Sequence, residues 1–147
     1  MTIDSAREDL AARLAAVSGS AELQERRDGL WMWAPALDVE AMGRAMKALG
    51  YRLSTMTGVA REDGETTIIY HYTRPPLAVN IKTVTRGNAL PSLATIALPA
   101  SWSEREIHDF FAVTFTGHPN PAPLLRPPEL KVGFFRDAVP ESKAPAF

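Results

Sequence analysis

The stretch YRLSTMTGVAREDGETTIIYHYTRPPLAVNIKTVT, residues 51–85, decides the fold. Its first part, Tyr51–Val59, alternates as a strand does. Tyr51, Leu53, Thr55 and Thr57 fall on one side, Arg52 and Ser54 on the other. Within residues 61–65, Asp63-Gly64 is a strong hairpin signal. Thr66–Thr73 follows, rich in the Ile, Tyr and Thr that suit a pleated surface. Pro75-Pro76 turns the chain. Leu77–Thr85 reads as a third strand, with Leu77, Val79 and Ile81 toward the core and Asn80 and Lys82 toward water. Gly87-Asn88 ends this antiparallel meander.

Upstream, Val39, Met42, Met46 and Leu49 share one helical face. Asp38 stands at the N-cap, Lys47 in the last turn, and Gly50 just beyond the end. Before this helix, LWMW (30–33) reads as a short strand cut off by Pro35. Ala21–Asp28 reads as a further helical turn or two, stopped by Gly29. Residues 5–17 read as a helix, opened by a Ser5/Glu8 capping box, carried by Leu10, Leu14 and Val17, and ended by Gly19. The opening segment MTIDSAREDLAARLAAV is charged and amphipathic, so it is not read as a signal peptide. No stretch has the run of about 20 apolar residues that crosses a bilayer.

Downstream, Leu93–Leu98 reads as a short link, helical or extended. SWSEREIHDFFAVTFTGHPNP, residues 101–121, then begins with a second Ser-x-x-Glu box, Ser103 and Glu106, from which a helix is expected to start. Glu104 falls in its first turn. Ile107, Phe110 and Phe111 share a face expected to be buried. Arg105 and Asp109, four apart, are expected to pair on the opposite face. From Gly117 onward the chain holds seven of its twelve prolines and no helical period. That part builds no core of its own and lies extended along this domain or a partner.

The expected architecture is therefore α+β. An N-terminal helix precedes a β-α-β-β-β mixed sheet with helices packed on one face; a motif helix and an extended proline-rich tail follow. The folded domain is expected over residues 1–116, and over residues 117–147 the extended tail is expected to pack mainly on a partner subunit.

Composition narrows the function. The 147 residues carry a net charge of −1, which does not suggest a nucleic-acid binder. There is no cysteine, which removes thiol nucleophiles, Cys-type zinc sites and Cys-ligated iron–sulfur clusters. Glu104, His108, Asp109 and His118 form a candidate cluster for a divalent metal, and hence for a stand-alone metal-dependent enzyme. Against it, no His-x-x-x-His or Glu-x-x-His spacing is present. Glu104 and Asp109 stand ~140° apart round a helix and do not converge as a carboxylate pair. No Gly-x-Ser-x-Gly or phosphate-binding glycine loop occurs. His71 reads as a hydrogen-bonded sheet residue. Trp31, Met32 and Trp33 read as core and interface packing.

The 101–127 segment resembles the signature of the NADH dehydrogenase 30 kDa subunit family of respiratory complex I. That family includes the equivalent small subunit of energy-converting membrane-bound NiFe hydrogenases. Trp102, Glu104, Arg105, Glu106, Asp109, Phe110, Phe111, Val113, Phe115, Gly117, His118, Pro119, Leu125 and Pro127 fall on its pattern, with Arg126 beside them. The chain departs from it at Ala112 (glycine in the family), at Asn120 (aspartate) and at Pro121–Pro123, where paired arginines are missing. A late basic element survives as Arg136-Asp137. These departures favour a hydrogenase-type or divergent member. The resemblance implies a non-catalytic assembly subunit of a cytoplasmic peripheral arm. Such a subunit binds no redox cofactor or metal itself and does not insert in the membrane. Its partners would be a large catalytic subunit and an iron–sulfur small subunit, which carry the iron–sulfur clusters and, in a hydrogenase, the NiFe centre. The motif residues would form the partner interface. The alternative reading is the stand-alone metal-dependent enzyme on Glu104, His108, Asp109 and His118, and a generic protein-binding module outside any redox complex is a third.

Overall fold

The computed structural model describes residues 3–19, 22–127 and 129–137. Helix α1 (Ile3–Ser18) leads into a five-stranded sheet. Its strands are β1 (Gln24–Arg26), β2 (Gly29–Trp33), β3 (Arg52–Ala60), β4 (Thr66–Arg74) and β5 (Leu77–Val84), in the spatial order β1-β2-β5-β4-β3. Helix α2 (Val39–Ala48) crosses from β2 to the far edge, where β3 begins. The meander then steps back, so β5 lies parallel to β2 while β3–β4, β4–β5 and β1–β2 are antiparallel. Helix α3 (Leu98–Phe111) packs near β3. The short strands β6 (Ala89–Pro91) and β7 (Thr114–Thr116) pair in parallel below it, and a last turn α4 (Phe134–Asp137) sits against α3.

One core joins these elements. Leu10 and Leu14 of α1, Met42 and Met46 of α2, and Ile107 of α3 meet Leu30, Met32, Ile68, Tyr70, Val79 and Ile81 of the sheet. The α2 cap is the expected one: the Asp38 carboxylate accepts from the Ala41 N–H at 3.2 Å. Gly50 takes φ +83, which an L-residue rarely adopts.

Five local expectations are corrected. Residues 24–26 are a strand rather than a helical turn, because the tight turn into Gly29 (φ +128) pairs them with β2. A bulge between Leu53 and Thr55 shifts the alternation of β3, so Met56 is buried while Thr55 and Thr57 are exposed. Asn80 is buried, held by His71 and by the Leu30 carbonyl, and Leu77 is only half-buried. Helix α1 begins by Ile3, which puts Ser5 inside its first turn. Helix α3 begins at Leu98, with proline near its start and no side-chain cap. Ser103 and Glu106 are therefore mid-helix, and Glu104 is not in the first turn.

Of the tail expected to pack on a partner, residues 117–127 and 129–137 lie along this domain instead, held by Arg105, Asp109 and the Phe111 carbonyl. Residues 138–147 fall outside the described residues.

Candidate functional site

Leu98, Trp102, Arg105 and Asp109 follow one another by three or four residues and form one stripe along α3. The chain after β7 turns at Gly117 (φ +81) and runs back across the C-terminal half of that stripe. Two side chains hold it. Asp109 Oδ2 accepts the N–H groups of Leu124, Leu125 and Arg126 at 2.9, 3.0 and 3.3 Å. The Arg105 guanidinium donates to the carbonyls of Ala122 and Pro123 at 2.8 and 3.0 Å. The expected Arg105–Asp109 pair is therefore replaced by two grips on the tail. Arg126 places Nε 3.7 Å from Asp109 Oδ1 and donates through Nη1 to the Leu130 carbonyl. Asp109 is fully buried. Burial alone pushes its carboxyl up, but the three N–H groups and the Arg126 charge together outweigh it and hold the group below its ordinary value.

Glu104 is also fully buried, but it faces inward. Its carboxylate accepts from the Ser92 hydroxyl at 2.5 Å and from the Leu93 N–H at 2.7 Å, pinning the loop after β6. Burial pushes its carboxyl up to about 7, against the pull of those two donors. Beside it, His118 accepts the Asn120 N–H at Nδ1 and donates from Nε2 to the Ser101 carbonyl. These bonds orient the ring at the Gly-His-Pro turn. His118 Nε2 is 3.9 Å from Glu104 Oε1. His108 donates from Nδ1 to the Val113 carbonyl.

The four candidate metal ligands thus attend to different partners. Among the described residues no group of three or more His, Asp and Glu side chains is placed to hold a metal ion. The cavity between Glu104, His108, Phe115 and His118 has a volume of ≈ 60 Å³, well under the roughly 300–1,000 Å³ of small-molecule sites.

The remaining motif residues divide between packing and exposure. Phe115 is buried, and Phe111 packs on the core beside Gly58. Phe110, expected to be buried, is half-buried and stacks on Phe135 with ring centroids 4.4 Å apart. Glu106, Pro119 and Pro127 are exposed. Trp102 is 67 % exposed, Leu98 81 % and Leu125 60 %. Large apolar side chains thus stand open on the α3 stripe and on the segment that crosses it.

A second knot was less legible in sequence. Arg136 donates to the carbonyls of Phe111 and Glu65, to Asn88 Oδ1 and to Thr66 Oγ1. Asn88, at φ +53, donates to the Phe111 and Ala112 carbonyls and so closes the end of α3. Glu65 accepts from Thr85 and from the Gly87 and Asn88 N–H groups. The Gly87-Asn88 turn and the Arg136-Asp137 remnant were the available signals.

Comparison with known proteins bears on the family and the fold. The family described as "Respiratory-chain NADH dehydrogenase, 30 Kd subunit" matches residues 32–144. An NADH-quinone oxidoreductase subunit from Chloroherpeton thalassium is 30% identical over 80 residues, covering 51% of this chain and 33% of that protein. A longer NADH-quinone oxidoreductase subunit from Methylococcus capsulatus is 35% identical over 66 residues, 42% of this chain and 11% of that protein. The chain thus spans a third or less of these curated relatives. Among solved structures, an archaeal membrane-bound sulfane sulfur reductase contains a chain that matches with a TM-score of 0.64 at 26% identity, over 84% of this chain and 79% of the other. A trypsin-resistant fragment of Nqo5 shares the fold, with a TM-score of 0.62 at 20% identity over 82% of this chain and 99% of that fragment. Among the described residues no helix is long and apolar enough to cross a membrane. With the family match running from β2 through the tail that Asp109 and Arg105 hold down, the chain belongs to the respiratory-chain NADH dehydrogenase 30 kDa subunit family.

Proposed function

We propose that the chain is a non-catalytic assembly subunit in the peripheral arm of a complex I-like membrane oxidoreductase, of the NADH:quinone or energy-converting hydrogenase type. The observation that carries this is the open apolar surface of Leu98 and Trp102 on α3 and of Leu125 on the segment that Asp109 and Arg105 hold across it. Open Trp and Leu on a rigid support is the composition of an interface core. Its occupant is the large catalytic subunit, with the iron–sulfur subunit adjoining. Redox cofactors sit on those partners; this chain has no cysteine with which to ligate a cluster. The archaeal sulfane sulfur reductase relative supports membership in a membrane-bound respiratory assembly.

The test is affinity purification of the tagged chain from its native host, with mass spectrometry and metal analysis of the eluate. Co-elution of a large subunit and a cysteine-rich iron–sulfur subunit is expected, and Trp102→Asp or Leu98→Asp strips them while the chain stays folded. Full occupancy of those variants, or a wild-type chain that elutes alone, sinks the reading.

A further inference from the structure

The described helices feed their side chains into the core on one face of the five-stranded sheet. Strand register puts a different set on the opposite face. It carries Arg26 on β1, Trp31 and Trp33 on β2, Lys82 on β5, Ile69 and His71 on β4, and Arg52 and Val59 on β3. Trp33 is 48 % exposed and Val59 50 %. The Arg26 guanidinium lies over the Trp31 ring at 5.0 Å, and the Lys82 ammonium over the Trp33 ring at 5.9 Å. Between them is a depression of ≈ 300 Å³.

The charge on this face has one sign. Arg26, Arg52 and Lys82 are cations, and no strand residue presented there is a carboxylate. The nearest acids are at the rim: Glu22 borders the depression, and Asp28 accepts the Trp31 indole N–H at 2.7 Å. The polar groups in the middle satisfy one another, since His71 bonds Thr57 and Asn80, and Asn80 bonds the Leu30 carbonyl.

We infer that this open sheet face is a second docking surface, for a protein whose contact patch pairs carboxylates with apolar side chains. Cations laid over Trp rings keep their outward N–H groups for an incoming carboxylate, while the rings supply apolar contact. Complementary charge sets register and approach; the tryptophans supply the area. A net charge of −1 over the whole chain disfavours a phosphate backbone as the occupant. The chain would thus sit between two neighbours, one on the α3 side and one on the sheet side.

The experiment uses the full tagged chain in native-host extract, treated with a water-soluble carbodiimide that joins amines to carboxylates already in contact. After denaturing purification, Lys82 is expected in an isopeptide bond to an Asp or Glu of a different polypeptide. Arg26→Glu and Trp33→Ala each lower that product about tenfold, with the unfolding midpoint within a few degrees of wild type. A Lys82 that stays uncoupled, or couples only to this chain's own sequence such as Glu22, overturns the inference. So does retention of a single-stranded oligonucleotide by the wild type that is lost in the Arg26→Glu/Lys82→Glu variant. Coupling at Lys82 without co-purification of a large subunit would sink the preceding reading and leave this one standing; assembly with Lys82 uncoupled would do the reverse.

Discussion

Helix α3 buries two carboxylates five residues apart, and the two regions around them treat the charge in opposite ways. On the tail side, Asp109 meets three backbone N–H groups and Arg126, and is held ionised. On the inner side, Glu104 meets one hydroxyl and one N–H, and burial pushes it up to about 7. Both are fully buried, so depth does not separate them. The number of donors aimed at the charged form does. One region is a clamp that needs its charge; the other is a polar plug that tolerates losing it.

The sharpest break in that contrast is Asp109→Ala. It leaves Arg126 without its counter-charge and three tail N–H groups without an acceptor, so a loss of about 3–5 kcal/mol is expected. Denaturant unfolding measures it, and a loss under ~1 kcal/mol would mean the tail holds without the clamp.

Next comes the pH response of Glu104. Its unfolded value is near 4.5 and its folded value about 7, so between them the folded chain holds a proton that the unfolded chain has released. The stabilisation is complete below pH 4.5, falls as pH rises, and is gone above about 7, a swing of about 3 kcal/mol. Glu104→Gln removes the titration, and a stability curve that keeps its slope in that window would assign the proton elsewhere. Asp109 has the opposite sign: its contribution is present above its ordinary value of 3.8 and is lost as pH falls through the lowered folded value.

Arg105→Ala has a smaller effect, about 1 kcal/mol, because its two tail carbonyls are exposed and water replaces the donor. Its readout is faster amide exchange over residues 122–126 with little change at α3; protection lost throughout α3 instead would give Arg105 a global role. The smallest effect is a gain. Ala112 closes α3 at φ +59, a region that favours glycine, so Ala112→Gly stabilises by up to about 1 kcal/mol in thermal unfolding. A loss would mean that the Ala112 methyl, packed toward Gly133, contributes more than its backbone costs.

Much of the sheet was legible because its cues are local. Asp63-Gly64, the Asp38 cap, the Ile, Tyr and Thr of β4 and the alternation in β5 act within a few residues of themselves. Where two cues compete, one of them misleads. Ser103 and Glu106 carry a capping-box pattern, but the helix had already begun at Leu98 with Pro99 to set its φ. Asp28-Gly29 is itself a hairpin signal and would have identified β1. The motif residues were recognisable as a set, but not their work. Asp109 binds residues 15–17 positions away, Glu104 a loop 11–12 positions upstream, and Arg136 a turn 48 positions upstream. No periodicity encodes such distances; only the assembled sheet and helix bring them together.

Asp109 also grips the returning chain twice. Its side chain takes Leu124–Arg126, and its own carbonyl accepts the Gly133 N–H at 2.8 Å. The stretch from Arg126 to Gly133 is therefore a loop whose two ends are tied to a single residue. Closing such a loop depends weakly on its length, and doubling it costs about 0.6 kcal/mol. Chain can be added there with both ties left in place, which makes this loop a position where relatives of different length can diverge without loosening the fold that presents Trp102.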